Sequence, residues 1–354
     1  MPATRENRSP DMTDDLVVPV LRWYASHARD LPWRRPGTCP WSVLVSEIML
    51  QQTPVARVLP AHGAWLARWP TPESLAAAAP GDAVRQWGRL GYPRRALRLH
   101  ATARILTDHY AGQVPASVTE LMALPGVGAY TAAAVASFAF GQRHAVLDTN
   151  VRRVLARLTR GEHLPPRAAS AAERRLAESL LPAAPRLAAR WSVAVMELGA
   201  LVCTSARPRC GSCPVAGRCS WLLAGSQQGP GRPAAARYAG SDRECRGRLL
   251  AVLRAAAGPV PAARLDAVWP DADQRARALA ALIADGLAAP AGPGCYGLPT
   301  QPGRPPTQPA SQPGPSGRPP ARLERPPARL GRPPAQPARQ PPGSTTGDAS
   351  RLRG

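Results

Sequence analysis

Two carboxylates in this chain of 354 residues stand where they could take part in acid–base chemistry. Glu47 lies in the run WSVLVSEIMLQQ, which predicts a helix from Trp41 to Gln52 with a buried apolar stripe. Apolar neighbours raise the pKa of a carboxyl group, which suits a general acid. Asp148 opens the next predicted helix, Asn150 to Leu158, where the helix dipole favours an ionised carboxylate. From spacing alone, a surface glutamate paired with arginine and a simple helix N-cap are the preferred interpretations.

Four cysteines crowd into seventeen residues with the spacing C-x6-C-x2-C-x5-C. Four thiolates in one loop can hold a [4Fe–4S] cluster or a structural zinc ion, and the chemistry of the ligands leaves both open. The chain has seven cysteines, an odd number, and most of them are clustered. The cysteines of a secreted disulfide-bonded protein are spread differently, so this distribution indicates an intracellular protein. The four clustered residues are Cys203, Cys210, Cys213 and Cys219.

The elements that must position these groups centre on residues 121–150. Two helical runs flank the turn LPGVG, whose glycines allow backbone angles that a side chain would forbid. The second run, Ala129 to Phe140, is apolar and uncharged, so we expect a buried helix. Free N–H groups at its start, behind Gly126 and Gly128, could bind a phosphate oxygen. The pattern predicts a helix–hairpin–helix that grips the DNA backbone without reading its sequence.

The net charge of +22 predicts a polyanionic partner, most simply nucleic acid. All 45 basic residues are arginine. A solvated basic surface would explain the tail of the chain but not the whole of it. No run of eighteen apolar residues exists and the first residues are polar, so we expect neither a membrane span nor a secretory signal. The expected location is the cytoplasm, in association with the nucleoid.

Three loops carry groups suited to contact DNA. Residues 29–34 combine guanidinium and aromatic groups, both of which can stack on bases, although Trp33 could equally fill the core. Residues 51–53 end the Glu47 helix with uncharged polar side chains, which suit the probing of a base stack. Residues 88–95 form a basic, aromatic turn with the character of a phosphate contact.

Composition divides the mainly helical chain into five parts. Three helical patterns and a possible hairpin around Tyr296 suggest a small winged-helix-like module. The last part is rich in Pro and Arg and cannot bury a core, so it is either a polyanion-binding tail or plain low complexity. The predicted parts are a disordered N-terminus (1–14), a main domain (15–222) with the helix–hairpin–helix at 121–140 and the cysteine loop at 203–219, a linker (223–242), the module (243–299) and a disordered basic tail (300–354).

Taken together, the motifs resemble those of the adenine DNA glycosylases (the MutY family). They are LPWR, SEIMLQQT, LGY, LPGVGAYTA, LDTNVRRVLAR and MELGALVC with the three further cysteines, in the family's order and spacing over roughly residues 16–222. The resemblance implies a helix–hairpin–helix glycosylase fold and removal of adenine mispaired with 8-oxoguanine. It also implies that the four cysteines hold one [4Fe–4S] cluster rather than zinc.

The resemblance implies a role for each matching residue. Glu47 corresponds to the acid that protonates adenine, Asp148 to the carboxylate that stabilises the cationic sugar, and Asn150 to the residue that orients them. Tyr130 stands where the related endonuclease III-like enzymes have a lysine. The expected contacts with DNA or substrate are Gln52, inserted into the base stack, the adenine-pocket residues Arg29, Leu31 and Arg34, and Thr53, Leu90, Tyr92, Gly126 and Gly128.

The chemistry of the residues agrees with these roles. Hydrolysis of an N-glycoside passes through an oxocarbenium-like state, so one neutral acid must activate the leaving base while one ionised carboxylate faces the positive charge. Glu47 on an apolar helix edge and Asp148 at a helix N-terminus have environments that separate their pKa values in that way. The target base must be flipped out of the duplex. This requirement explains why a phosphate-binding hairpin, a side chain inserted into the base stack (Gln52) and a basic surface occur together.

The absence of lysine predicts a monofunctional enzyme that leaves an abasic site, because a β-lyase needs an amine to form a Schiff base. We expect a monomer acting on double-stranded DNA with adenine opposite 8-oxoguanine or guanine. Residues 243–299 are too short and too helical for the Nudix-like domain that many family members use to recognise 8-oxoguanine. The alternatives are an endonuclease III-like enzyme for oxidised pyrimidines and a non-enzymatic iron–sulfur regulator that binds DNA.

Overall fold

Residues 12–227 fold as a succession of helices with no strand among them, and they are called the main part of the molecule below. The computed structural model describes residues 12–227 and 237–300, which all belong to one unit, Met1–Pro306. Most of the predicted disordered N-terminus, part of the predicted linker and the predicted tail lie outside the described residues. The first twelve helices are α1 (Met12–His27), α2 (Pro40–Leu50), α3 (Val55–Arg68), α4 (Pro72–Ala76), α5 (Pro80–Trp87), α6 (Arg94–Tyr110), α7 (Val118–Ala123), α8 (Ala129–Phe140), α9 (Thr149–Leu155), α10 (Ala171–Ser179), α11 (Pro185–Leu201) and α12 (Ser220–Leu223).

Two hydrophobic cores hold these helices together. The first core gathers α2 to α8, and α2 lies at its centre with all residues from Trp41 to Met49 buried. A helix that is apolar on nearly every side is stable only when other elements surround it, so the composition of α2 explains its place. The second core joins α1, α9, α10 and α11 to the loop that carries the four cysteines.

The predicted helix–hairpin–helix is confirmed by α7 and α8 with the turn between them. Helix α8 packs against α2 and against α11, so it lies between the two cores. The turn places Gly126 at a φ of 81°, which a residue with a side chain adopts only at a cost. The hairpin therefore ends in a helix that contacts elements of both cores.

A C-terminal module follows the linker, with the element order helix, strand, helix, helix, strand, strand. Its three strands pair antiparallel with the last strand in the middle of the sheet, so that Val260 lies opposite Tyr296 and Ala289 opposite Gly297. The apolar residues of the module join the first core, so the module packs directly on that half of the molecule. Its elements are α13 (Asp242–Ala255), β1 (Val260–Pro261), α14 (Ala262–Asp266), α15 (Ala272–Ala284), β2 (Ala289–Pro290) and β3 (Cys295–Gly297).

Two element boundaries differ from the sequence-based expectation. Helix α1 begins at Met12, inside the stretch 1–14 that the sequence predicts to be disordered. The reason is that Leu16, Val17 and Val20 pack in the second core, and a packed helix extends by one turn at little cost. Helix α9 ends as a regular α-helix at Leu155 and continues as a wider π-helical turn, Ala156–Arg160. Within residues 12–227 and 237–300, no helix is long and apolar enough to cross a membrane.

Candidate active site

Glu47 lies on α2 in an almost water-free position, only 4% exposed. The hydroxyl of Tyr130, at the start of α8, donates a hydrogen bond to Glu47 Oε2 at 3.2 Å. Burial raises the pKa of Glu47 to about 7, although the Tyr130 hydrogen bond and the nearby Arg34 charge oppose the shift. Near neutral pH this carboxyl group can therefore hold a proton and release it, as a general acid must. The interpretation as a surface glutamate paired with arginine is wrong.

Asp148 is the N-cap of α9, and its geometry is set by two hydrogen bonds. Its Oδ1 accepts from the N–H of Val151 at 2.6 Å, and its Oδ2 accepts from Asn150 Nδ2 at 2.7 Å. The Asp148 charge also contributes to the pKa of Glu47, so the two groups share one site. Asp148 can cap α9 and also act on the substrate, because the hydrogen bonds that make it an N-cap also fix the orientation of its carboxylate.

The pKa of Asp148 differs in direction from the sequence-based expectation. Burial raises the pKa of this carboxyl group, although the hydrogen bonds from Val151 and Asn150 and the charge of Arg153 act to lower it. The helix N-terminus does supply the expected stabilisation, but burial outweighs it. Asn150 is held in turn by Arg153, whose Nη2 donates to Asn150 Oδ1 at 2.8 Å.

Tyr130 remains a neutral hydrogen-bond donor in this site. Burial raises its pKa well above the ordinary value, and the neighbouring Glu47 and Asp148 charges raise it further. A lysine at this position would bring an amine into the site. The phenol cannot act in that way and instead orients the Glu47 carboxyl group.

Glu197 on α11 is a member of the site that the sequence reasoning missed. Its carboxylate is fully buried and accepts hydrogen bonds from Arg29 Nε at 2.6 Å and from Arg34 Nη1 at 2.5 Å. Although burial alone would raise its pKa, the hydrogen bonds and charges of the two arginines lower the pKa of Glu197 to about 2. The available signal was a single charged residue in the apolar run WSVAVMELGAL.

The 29–34 loop is held by this ion-pair cluster and by the core. Arg29 and Arg34 both donate hydrogen bonds to Glu197, so the positions of their guanidinium groups are fixed by this carboxylate. Leu31 and Trp33 are each 4% exposed and belong to the first core. Of the two interpretations of Trp33, the structure supports core filling.

The other expected DNA contacts divide into exposed and buried residues. Gln52 has a φ of 57°, and Tyr92 has a φ of 47° and a side chain that is 56% exposed. Thr53 and Leu90 are buried, and the Thr53 hydroxyl donates to the Leu90 carbonyl at 3.2 Å. This hydrogen bond joins the two loops, and neither side chain forms part of an exposed surface.

At the hairpin, the two glycines serve different purposes. A Cβ on Gly126 would lie 3.0 Å from Arg98 Cδ, so the Arg98 side chain packs closely over this turn. A Cβ on Gly128 would meet nothing within 4 Å, which leaves open space in front of the α8 N-terminus. A phosphate oxygen could approach the free N–H groups through that space.

The four cysteines line one pocket together with Arg157 and Trp221. Burial and, to a smaller extent, the other three thiols raise the pKa of Cys213 to about 11. Within the part of the chain that the structure describes, no group of three or more His, Cys, Asp or Glu side chains is arranged to hold a metal ion. Four thiols in one loop are the donor set that a [4Fe–4S] cluster takes.

Arg157 supports the same interpretation of the cysteine pocket. Its side chain is 1% exposed, and Nη1 lies 3.4 Å from Cys203 Sγ. Its other hydrogen bonds go to the carbonyl oxygens of His163, Thr204 and Ser205. A buried cation needs an anionic neighbour, and a cluster with four thiolates would supply one.

Comparison with known proteins agrees with this geometry. The family model for the HhH-GPD superfamily of base excision DNA repair proteins matches residues 45–180. The structure of a thermostable thymine-DNA glycosylase superimposes with a TM-score of 0.55 at 28% identity, over 60% of this chain and 97% of that chain. An endonuclease III trapped in a covalent intermediate with DNA superimposes with a TM-score of 0.53 at 22% identity, over 61% of this chain and 98% of that chain. At this level of identity the likeness concerns the fold alone. Fold and site together define a helix–hairpin–helix protein of base excision DNA repair.

Sequence relatives narrow this class to one family. The adenine DNA glycosylase of Mycolicibacterium smegmatis is 51% identical over 271 residues, which cover 76% of this chain and 91% of that protein. The human adenine DNA glycosylase is 42% identical over 211 residues, which cover 56% of this chain and 38% of the human protein. The chain belongs to the adenine DNA glycosylase family.

Proposed function

We propose that this protein is a monofunctional glycosylase that hydrolyses the N-glycosidic bond of adenine opposite 8-oxoguanine or guanine in duplex DNA. The observation that carries the proposal is the pair formed by Glu47, buried and hydrogen-bonded to Tyr130, and Asp148, fixed at the start of α9. Glu47 can hold a proton near neutral pH. The orientation of the Asp148 carboxylate is fixed by hydrogen bonds from Val151 and Asn150.

The proposed reaction follows from these two environments. Glu47 donates its proton to a ring nitrogen of the flipped adenine, and the bond between that base and the sugar breaks with its electron pair going to the base. The ionised Asp148 stabilises the positive charge that develops on the sugar. Water then adds to the sugar carbon and gives up a proton, so the products are free adenine and an abasic site.

Tyr130 and Asn150 act as positioning residues in this proposal. The Tyr130 hydroxyl directs the Glu47 carboxyl group, and the Asn150 amide directs the Asp148 carboxylate. Arg29 and Arg34, braced by Glu197, bound the pocket on the side of the base. The chain offers no lysine amine for a Schiff base, so strand cleavage is not part of the reaction.

We infer that the cysteine loop holds one [4Fe–4S] cluster through Cys203, Cys210, Cys213 and Cys219. The four cysteines line one pocket with the buried Arg157 side chain, and this arrangement supports the proposal. When bound, the cluster would cross-link the loop to the end of α11 and carry the negative charge that Arg157 faces. The protein is further proposed to act as a monomer associated with the nucleoid.

The test is a single-turnover assay on three duplexes, which carry adenine opposite 8-oxoguanine, adenine opposite guanine, or thymine glycol. We expect release of adenine from the first two, with strand breaks only after treatment with alkali. Release from thymine glycol alone would favour the endonuclease III-like alternative. Binding of DNA by cluster-loaded protein without release of any base would favour the regulator.

A further inference from the structure

The turn between α5 and α6, residues 88–93, presents an aromatic side chain to solvent in a strained conformation. Tyr92 is 56% exposed and has a φ of 47°, a region of backbone space that residues other than glycine rarely occupy. An exposed aromatic ring can stack on a base or enter between two bases. Such a conformation persists only when its surroundings hold it in place.

The C-terminal module, which runs from α13 to β3, holds the first end of this turn. Arg254 on α13 donates from Nε to the Val84 carbonyl at 2.9 Å and from Nη1 to the Gly88 carbonyl at 2.6 Å. In return, Arg85 on α5 donates to the carbonyl oxygens of Arg254 and Ala256, each at 3.2 Å. The C-terminus of α5 and the C-terminus of α13 are thus tied together by two arginines.

The same module holds the second end of the turn. Asp285, just after α15, accepts from Arg94 Nη1 at 3.2 Å and from Arg246 Nη2 at 2.6 Å. Arg94 is the first residue of α6, two positions after Tyr92. The module therefore brackets residues 88–93 through Gly88 on one side and Arg94 on the other.

Inside the main part of the molecule, Arg95 connects this turn to the loop of Gln52. Its Nη2 donates to the Gly91 carbonyl at 3.0 Å and to Thr53 Oγ1 at 2.8 Å, and its Nη1 donates to the Gln51 carbonyl at 2.6 Å. A shift of the turn would therefore also move the loop that leads away from Glu47.

We propose that the C-terminal module positions the α5–α6 turn so that the exposed Tyr92 ring can act on the base stack of the bound duplex, with Arg254 and Asp285 as the positioning residues. The proposal rests on the proposed function, since it assigns the module a part in opening the duplex for the same site. It predicts that the module acts on unstacking of the base and not on breakage of the glycosidic bond.

The test uses Arg254→Met and Asp285→Asn in the full chain, with Tyr92→Ala as the reference variant. Arg248→Met is the matched control, because Arg248 lies on the same helix and pairs with Glu244 inside the module. The first measurement is the rise in fluorescence of 2-aminopurine placed beside the target adenine when protein binds. We expect Arg254→Met and Asp285→Asn to lose most of this rise, as Tyr92→Ala does, and Arg248→Met to keep it.

The second measurement compares single-turnover adenine release from two duplexes. In one, adenine faces 8-oxoguanine; in the other, it faces an abasic site, so that little work is needed to extrude it. We expect Arg254→Met to slow release about tenfold from the first duplex and to leave the second almost unchanged. Equal losses on both duplexes, or a full fluorescence rise in both module variants, would overturn the proposal.

The two proposals fail in different ways. Absence of adenine release by wild-type protein from either duplex would refute the proposed function, while the fluorescence comparison would still decide the role of the module. The melting temperatures of all variants are measured alongside. Should Arg254→Met unfold, Asp285→Asn, which keeps the shape of the side chain, decides the outcome through the same two readouts.

Discussion

At the scale of residues, the site is made of carboxyl groups whose surroundings give them different proton affinities. Glu47 is buried with a single phenol donor, so its pKa rises to about 7. Glu197 is equally buried but meets two arginines, so its pKa falls to about 2. The same side chain therefore serves as a proton donor in one place and as a permanent anion in the other.

Tyr130→Phe tests the coupling between the phenol and the acid. The hydrogen bond from Tyr130 lowers the pKa of Glu47, so its loss raises that pKa further above 7. Because Glu47 must be protonated to donate, the alkaline limb of the pH–rate profile is expected to move to higher pH. The measurement is single-turnover adenine release from pH 5 to 9. An unchanged limb would show that another group sets it.

Glu47→Gln is expected to raise stability at alkaline pH while abolishing release of adenine. The folded-state pKa of Glu47 is raised from 4.5 to about 7, so the native state loses stability as pH rises through that interval. Glutamine removes this loss, which is on the order of 3 kcal/mol. Thermal melting should show the variant several degrees above wild type at pH 8 and close to it at pH 4.5. An equal difference at both pH values would contradict the assignment.

At the scale of elements, α5 is one of the helices on which the C-terminal module packs. The N–H of Gly81 donates to the Pro299 carbonyl at 2.7 Å, and a Cβ at Gly81 would lie 2.6 Å from that oxygen and 2.8 Å from Leu298 Cβ. This close approach explains a glycine in the first turn of α5, although alanine has the higher helix propensity.

Gly81→Ala is therefore expected to destabilise the protein despite its better helix propensity. Gly63→Ala is the matched control, since a Cβ there meets nothing within 4 Å on another helix of the same core. Thermal melting should place Gly81→Ala below wild type and Gly63→Ala at or above it. A stabilised Gly81→Ala would mean that residues 298 and 299 do not pack on α5.

The elements themselves could be predicted from the sequence, whereas several contacts of the site could not. Apolar periodicity and the LPGVG turn indicated α2, α7 and α8 because these patterns are local. Glu197 meets Arg29 across 168 positions of the chain, and no local pattern encodes such a pair. The bonds of Arg95 go mostly to backbone carbonyls, which every residue possesses, so its identity alone does not reveal them.

At the scale of the whole molecule, the basic residues divide into those used inside the fold and those left for DNA. Arg95, Arg157 and Arg254 are buried or partly buried and hold backbone carbonyls, so they contribute little to attraction of a polyanion. Residues 301–354, by contrast, contain nine arginines and only two carboxylates. A net charge of +22 therefore overstates the charge that the folded part presents to DNA.

Deletion of residues 301–354 is expected to weaken non-specific DNA binding without changing the rate of adenine release at saturating protein. For every phosphate that the tail neutralises on duplex DNA, its deletion should make the slope of log K against log salt shallower by about 0.9. The measurement is affinity for an undamaged duplex between 50 and 200 mM salt, about the range in which counterion release dominates. An identical slope for both proteins would show that the tail does not contact DNA.

The most direct measurement of the central claim is single-turnover adenine release by Asp148→Asn. Asparagine caps a helix as well as aspartate does, so the fold is retained while the negative charge is removed. The control is Asp271→Asn, because Asp271 caps α15 in the same way, accepting from the N–H of Gln274 at 2.8 Å. We predict a loss on the order of a thousandfold for Asp148→Asn and none for the control. Release of adenine at the wild-type rate by both variants would contradict the proposal that Asp148 stabilises the positive charge on the sugar.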